Sequence, residues 1–422
     1  MSYAIQSIDS IEQNKLYSDD TGIHDWYRFV LSYPPHLVRD YINKFQLNSE
    51  HTILDPFCGT GTTLIECKKH GIPSIGIDAN PVVQMVARTK VDWNIDCNDL
   101  LAHSLLVAKE VENRLKKYGK KLKVLDTEKE KLIIKNSISP IPLHKSLVFL
   151  EVLNEKADRR FYDIERTAFA KQLVCSYSNL HFGPEVGTGR KKKKDAEVVE
   201  LWLKQIYKIA ADLKEYASEK NVPSEVYLGD SRSISTLLNK QSIDAVITSP
   251  PYPNEKDYTR TTRLESVLLN FITAKSDLRE NKETLLRSNT RNIYKGDDDE
   301  KWIVKHKHIM DLANSIEAKR IELGKTSGFE RLYHKVVKNY FGGMARHLEE
   351  LKPALRIGAQ LAYVVGEQAS YFQIPIQTGK ILSDIAVEIG YELVRIDLFR
   401  TRLSTATKAQ LREEVVLLRW EG

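Results

Sequence analysis

The stretch "HTILDPFCGTGTTLIECKKHGIPSIGIDANP", residues 51–81, constrains the fold more than any other. His51 to Leu54 is a short β-prone run, Gly59 and Gly61 allow a sharp turn, and Thr62 to His70 reads as a helix closed by Gly71. Ser74 to Ile77 predicts a second strand ending at Asp78, which completes a β-α-β unit. Five later runs rich in Val, Ile, Leu and Tyr predict further strands of the same sheet: 225–230, 243–249, 359–366, 391–399 and 413–420. Helical patterns lie between several of them, so an open α/β sheet is expected.

Two stretches interrupt that pattern. Residues 90–224 read as mainly helical and charged, with Val199, Trp202, Ile206, Ile209 and Leu213 on one helical face. Residues 253–340 carry no strong strand signal. The expected organisation is therefore a flank and first half of the sheet in 1–89, a helical insertion in 90–224, the sheet resumed in 225–252, a second insertion in 253–340, and the end of the sheet in 341–422. At 422 residues and 42% hydrophobic content, the chain can build a substantial core. No run of 18 apolar residues occurs, and the first fifteen residues lack the order of a signal peptide, so a soluble cytoplasmic protein with no membrane partner is expected. Cys58, Cys67, Cys97 and Cys175 form no CxxC pair, and no metal site is expected. The "GDDDE" run at 296–300 reads as a solvated acidic loop.

The Gly59 turn sits where a first strand gives way to a helix, and Asp78 follows 19 positions later, where a carboxylate can accept from ribose hydroxyls. Leu64 stands where a GxGxxG fingerprint needs its third glycine, and no GK[ST] follows, so neither a dinucleotide nor a P-loop phosphate site is indicated. An adenosine ligand without phosphates but with a cationic centre is S-adenosylmethionine. Asp55 can meet its ammonium, Phe57 can line its pocket, and Asp230 can accept from the adenine amino group.

At "VITSPPYPNE", residues 246–255, a buried-looking strand runs into Thr248-Ser249-Pro250-Pro251-Tyr252. Ligands of open α/β sheets collect at the carboxyl ends of strands. Two prolines end the ladder and fix the backbone there, so Ser249 and the Pro250 carbonyl are expected to hold an exocyclic amino group while Tyr252 stacks on its base.

"FCGTG" at 57–61 followed by "SPPY" at 249–252 resembles the amino-directed DNA methyltransferases, which methylate N6 of adenine or N4 of cytosine, and SPPY is typical of the cytosine-N4 members. "HDWYRFVLSYPPHLVRDYI" at 24–42 resembles the family's cofactor-flanking N-terminal motif. The resemblance implies a Rossmann-like, seven-stranded S-adenosylmethionine-dependent methyltransferase sheet whose final strand runs antiparallel, with helical insertions. By position it implies cofactor contacts from Asp55, Phe57, Cys58, Gly59, Thr60, Gly61, Thr62, Asp78, Ala79 and Asp230. Ser249, Pro250, Pro251 and Tyr252 would form the catalytic corner. It further implies double-stranded DNA as partner, base flipping, and a cognate restriction endonuclease. No cysteine follows a proline, so the nucleophile of cytosine-C5 enzymes is absent.

The net charge of +6 is mild, but Arg190, Lys191, Lys192, Lys193 and Lys194 stand in a row. They and Lys256, Arg260 and Arg263 are expected to contact DNA, against the plain alternative of a solvated loop. Tyr258 and Trp302 read as core aromatics ahead of stacking residues. Competing functions are adenine-N6 methylation of DNA, guanine-N2 methylation of tRNA, and a catalytically silent DNA-binding module; the modified nucleoside, the nucleic acid accepted, and the presence of any product separate them.

Overall fold

In a computed structural model, the described residues are 17, 20–27, 32–119, 121–182, 186–254, 256–403 and 408–422. The first fifteen residues, and 28–31 within the flanking motif, lie outside them. Nine strands occur among the described residues, in chain order: β1 Ile53–Asp55, β2 Ser74–Asp78, β3 Leu180–Phe182, β4 Val186–Thr188, β5 Ser224–Leu228, β6 Ile243–Thr248, β7 Leu355–Gly366, β8 Glu392–Leu403 and β9 Gln410–Trp420. Seven form one sheet in the order β5-β2-β1-β6-β7-β9-β8, and β3 pairs with β4 in a separate hairpin. All neighbours in the large sheet are parallel except β9, which runs antiparallel to β7 and β8. The sheet is the seven-stranded, Rossmann-like α/β arrangement with its last strand reversed.

Alternation along the central strands explains why both faces are covered. Leu54, Val246, Leu361, Tyr363, Val416 and Leu418 point to one apolar cluster, completed by helices Tyr333–Leu351 and Thr378–Ile389. Ile53, Ala245, Ile247, Ala362, Val364, Val415 and Leu417 point to the other, beneath helix Pro35–Lys44. Sheets buried on both faces need such continuous apolar runs. The edge strand β8 is mostly solvent-facing and carries Glu392, Arg395, Asp397, Arg400 and Arg402, a composition that discourages pairing with another chain.

Residues 90–224 pack their helices Cys97–Lys117, Pro140–Glu155, Tyr162–Gln172 and Val198–Glu215 into one core with Leu64, Val82 and Val86. The predicted face of Val199, Trp202, Ile206, Ile209 and Leu213 is buried there. The β3–β4 hairpin in this stretch is not visible in the sequence pattern. Residues 253–340 contain no strand among the described residues.

The chain winds outward from β1 through β2 to β5 and then crosses back to β6 beside β1. That reversal leaves a crevice outside the carboxyl ends of β1 and β6, the place where such sheets hold ligands. Register sets Leu54 opposite Val246, so the segments following Asp55 and Thr248 emerge side by side.

Candidate active site

The glycine turn is built by two left-handed residues, Gly59 at φ 53° and Gly61 at φ 86°. The Cys58 amide donates to the Ile77 carbonyl at 3.0 Å and the Gly61 amide to Cys58 at 2.8 Å, which folds the turn against β2. A Cβ on Gly59 would meet nothing within 4 Å, so this face is open to a ligand. Asp78 accepts from the Gly59 amide at 3.0 Å and the Asn80 amide at 2.8 Å. Burial pushes its carboxyl up to about 7.

Asp55 is wholly buried and tied to both motifs. Its oxygens accept from Thr248 Oγ1 at 2.6 Å, Tyr33 Oη at 3.0 Å and the Phe57 amide at 3.2 Å. Burial raises its carboxyl to about 6, and these donors oppose the rise. Thr63 Oγ1 donates to the Ile247 carbonyl at 3.0 Å, a second fastening between the helix after the glycine turn and β6. Phe57 meets the edge of His347 at 5.0 Å between ring centres. His347 Nδ1 lies 2.9 Å from the Ser231 carbonyl and Nε2 2.7 Å from Tyr363 Oη, and burial lowers its pKa to about 4. It is therefore a neutral ring that donates through Nδ1 and accepts through Nε2.

On the other side, Ser249 Oγ donates to the Val364 carbonyl at 3.2 Å, which commits its proton and leaves its lone pairs available. The Tyr252 ring lies against Gly366, and its amide donates to Tyr258 Oη at 3.3 Å. Burial raises the Tyr252 phenol and pushes Tyr258 up to about 12.

A single cavity of about 590 Å³ joins the two sides. Of the residues predicted at the cofactor, Phe57, Cys58, Gly59, Thr62, Asp78 and Ala79 line it; Asp55, Thr60 and Gly61 stand behind its wall. Asp230 does not line it, although Gly229 and Ser231 on either side do. Ser249, Pro250, Pro251 and Tyr252 all line it, as does Lys256.

Comparison with known proteins follows the same lines. A family model of N6/N4 methyltransferases, described as DNA methylase, matches residues 7–88. Type II methyltransferase M.BsoBI of Geobacillus stearothermophilus is 26% identical over 92% of this chain and 82% of its own length. Type II methyltransferase M.AvaI of Nostoc sp. is 24% identical over 88% and 79%. The chain is thus similar to amino-directed DNA methyltransferases, by a family model over residues 7–88 and by Type II methyltransferases over most of its length. A solved structure titled TrmN from Thermus thermophilus aligns at 10% identity over 92% of this chain and 48% of its own, with a TM-score of 0.28, too loose to add to the argument.

The basic residues of this methyltransferase are dispersed. Arg190, Lys191 and Lys194 are exposed in the loop after β4, whereas Lys192 Nζ turns back to the Gly189 carbonyl at 2.7 Å and Lys193 Nζ to Ser176 at 2.5 Å. Arg260 Nε reaches the Val186 carbonyl at 3.3 Å. Arg263 is held by Thr259 at 2.8 Å, and burial lowers its pKa. Trp302 packs against the cluster beneath helix Tyr333–Leu351, and Tyr258 lines the cavity.

The acidic run at 296–300 is not a solvated loop. Asp299 is buried between Arg232 at 2.6 Å and Arg346 at 3.5 Å, and Asp297 pairs with Arg287 at 2.8 Å. Arg232 also grips Asp230 at 2.7 Å, so the loop after β5 is fastened to the second insertion. No group of three metal-ligating side chains occurs among the described residues, and no helix there is long and apolar enough to cross a membrane.

Sequence reasoning passed over Tyr33, Thr248, His347, Arg400, Arg402 and Glu413. Tyr33 lies inside the quoted flanking motif and Thr248 directly precedes SPPY, so both were within reach. Arg400, Arg402 and Glu413 take their place from the register of β8 and β9, and His347 from the packing of helix Tyr333–Leu351 against the sheet.

Proposed function

We propose that this methyltransferase transfers a methyl group from S-adenosylmethionine to the exocyclic N4 of cytosine in double-stranded DNA. The observation that carries this reading is that the glycine turn and the SPPY corner border one cavity, fastened together by the Thr248 to Asp55 hydrogen bond. The cavity volume lies within the range of small-molecule sites. At its β1–β2 end the charged lining side chain is a carboxylate, Asp78, with no Lys or Arg. A phosphate-bearing cofactor would be repelled there, and an adenosine with a cationic tail fits.

When bound, S-adenosylmethionine supplies an electrophilic methyl group, so no covalent bond to the protein is required. Asp78 accepts from the ribose, and the open face of Gly59 lets the ligand approach the backbone. Phe57, braced by His347, borders the pocket. Ser249, with its proton committed to Val364, accepts a hydrogen bond from the amino group and orients the nitrogen lone pair. Tyr252 stacks on the extruded base and offsets part of an unstacking cost of a few kcal/mol. The serine, in place of the aspartate or asparagine typical of adenine enzymes, favours cytosine. Sequence reading is divided between residues 90–224 and 253–340, with Arg190 to Lys194, Lys256, Arg260 and Arg263 on phosphates and base edges. A cytoplasmic location and a cognate endonuclease complete the proposal.

Methylome sequencing of a host expressing the gene tests it. N4-methylcytosine at one short motif is the expected result; N6-methyladenine, or no new DNA modification, overturns the cytosine reading. Paired variants separate the roles. Ser249→Ala with Tyr252→Ala should abolish turnover while leaving cofactor affinity nearly intact, and Asp78→Ala should weaken cofactor affinity.

A further inference from the structure

The cavity is electrically polar along the sheet. Asp78, at the end of β2, is its charged lining residue on one side, and Lys256, Arg400, Arg402 and Glu413 line the other. Three cations against one carboxylate leave a net charge of two positive there. The strand order places β9 four neighbours away from β2, on the order of 19 Å at about 4.8 Å per strand. The SPPY corner, on β6, lies between the two ends.

This positive rim is built by the reversal of the last strand. Because β9 runs antiparallel, its first residues share an edge with the carboxyl ends of β6, β7 and β8. Arg400 therefore stands directly across from Glu413, and Glu413 across from Gly366, the residue on which Tyr252 rests. Glu413 is almost wholly buried and orients both arginines: Arg400 Nε donates to it at 2.6 Å and Arg402 Nε lies at 3.6 Å. Arg402 is further fixed by the Glu367 carbonyl at 2.9 Å and Gln368 Oε1 at 3.0 Å. Lys256 is half-buried, and its ammonium has no carboxylate within 4 Å among the described residues. Burial and then the charge of Arg402 disfavour its protonation, and Glu413 opposes them only in part. Lys256, Arg400 and Arg402 share the single carboxylate of Glu413, so the cluster keeps an excess of positive charge that an anionic ligand would offset.

We infer that Lys256 and Arg402 form a clamp for the DNA phosphate adjoining the flipped target nucleotide, with Glu413 and Arg400 as positioning residues. The clamp rests on the DNA methyltransferase reading above. It lies beyond the base, on the side away from the cofactor, so it would hold the extruded nucleotide by its backbone while Tyr252 and Ser249 hold the base.

The test compares the full chain with its Lys256→Gln/Arg402→Gln variant on a duplex carrying the site found by methylome sequencing. Losing one phosphate contact should flatten the slope of log affinity against log salt by about 0.9, which is a roughly 3.5-fold smaller loss of affinity between 50 and 200 mM salt. Unchanged affinity for S-adenosylmethionine in the variant shows that the pocket is folded. Lys256→Gln alone, which removes no side-chain bond, carries the same test if the double variant is unstable. Replacing single phosphates beside the target by uncharged methylphosphonate should weaken the wild type at one position and leave the variant unaffected there. A wild type that methylates this DNA while the variant keeps its salt slope, or equal sensitivity of both proteins at every position, overturns the clamp and leaves the activity standing. A wild type that transfers no methyl group to any DNA overturns both.

Discussion

Gly366→Ala separates base positioning from cofactor binding at a site that neither motif contains. Gly366 ends β7 without a left-handed φ, so alanine adds no backbone strain. Its new Cβ would stand 2.9 Å from Tyr252 Cε2 and 3.4 Å from Glu413 Cγ. Carbon atoms rest at about 3.5–4.0 Å, so the ring must retreat by roughly 0.6 Å or more. Glu413, held by Arg400, crowds the same methyl group, so the strain falls on the ring. Overpacking of this kind costs about 1–3 kcal/mol of stability, and a displacement approaching 1 Å at a reacting centre costs on the order of 10²-fold in rate. The expected result is a fall in kcat of between ten- and a hundredfold on DNA, with S-adenosylmethionine affinity by calorimetry within twofold of wild type. Wild-type turnover in a folded Gly366→Ala protein would refute the placement of Tyr252 against the target base.

Other consequences follow from the same geometry. With Asp78 at about 7, the ionised acceptor falls from roughly nine-tenths at pH 8 to one-tenth at pH 6; S-adenosylmethionine affinity, measured relative to Asp78→Asn, should fall about tenfold across that range, and a constant ratio would dismiss the ribose contact. Thr248→Val removes a 2.6 Å donor from buried Asp55 and should lower stability in urea by about 1–3 kcal/mol; an unchanged midpoint would show that the tie carries little. Neutralising Arg190, Lys191 and Lys194, the exposed members of the basic run, should flatten the salt dependence of DNA binding, and an unaltered slope returns that run to a solvated loop.

What the sequence made legible was what short-range patterns encode. β1, β2 and the helix between them were readable to within one or two residues because apolar runs and glycines at fixed φ mark them. β6, β7 and β9 were readable because burial on both faces demands unbroken Val, Ile and Leu, and the more exposed edge strands β5 and β8 from their β-branched and aromatic residues. β3 and β4 were not, since three residues each leave no period to detect. The burial of Asp299 was equally hidden. It depends on Gly342, where any Cβ would overlap the Asp299 backbone, and nothing in "GDDDE" announces that contact. The site showed the same division: both motifs were plain in the sequence, whereas Arg400, Arg402 and Glu413 gain their position from the pleat and register of β8 and β9.

Every role assigned above turns on methyl transfer to a cytosine amino group at the shared cavity. Incubation of the protein with methyl-labelled S-adenosylmethionine and duplex DNA, followed by complete digestion and chromatography of the nucleosides, tests that directly. The predicted product is label in N4-methylcytosine, lost in the Ser249→Ala/Tyr252→Ala variant. Label in N6-methyladenine, label that persists in that variant, or unlabelled DNA would contradict it.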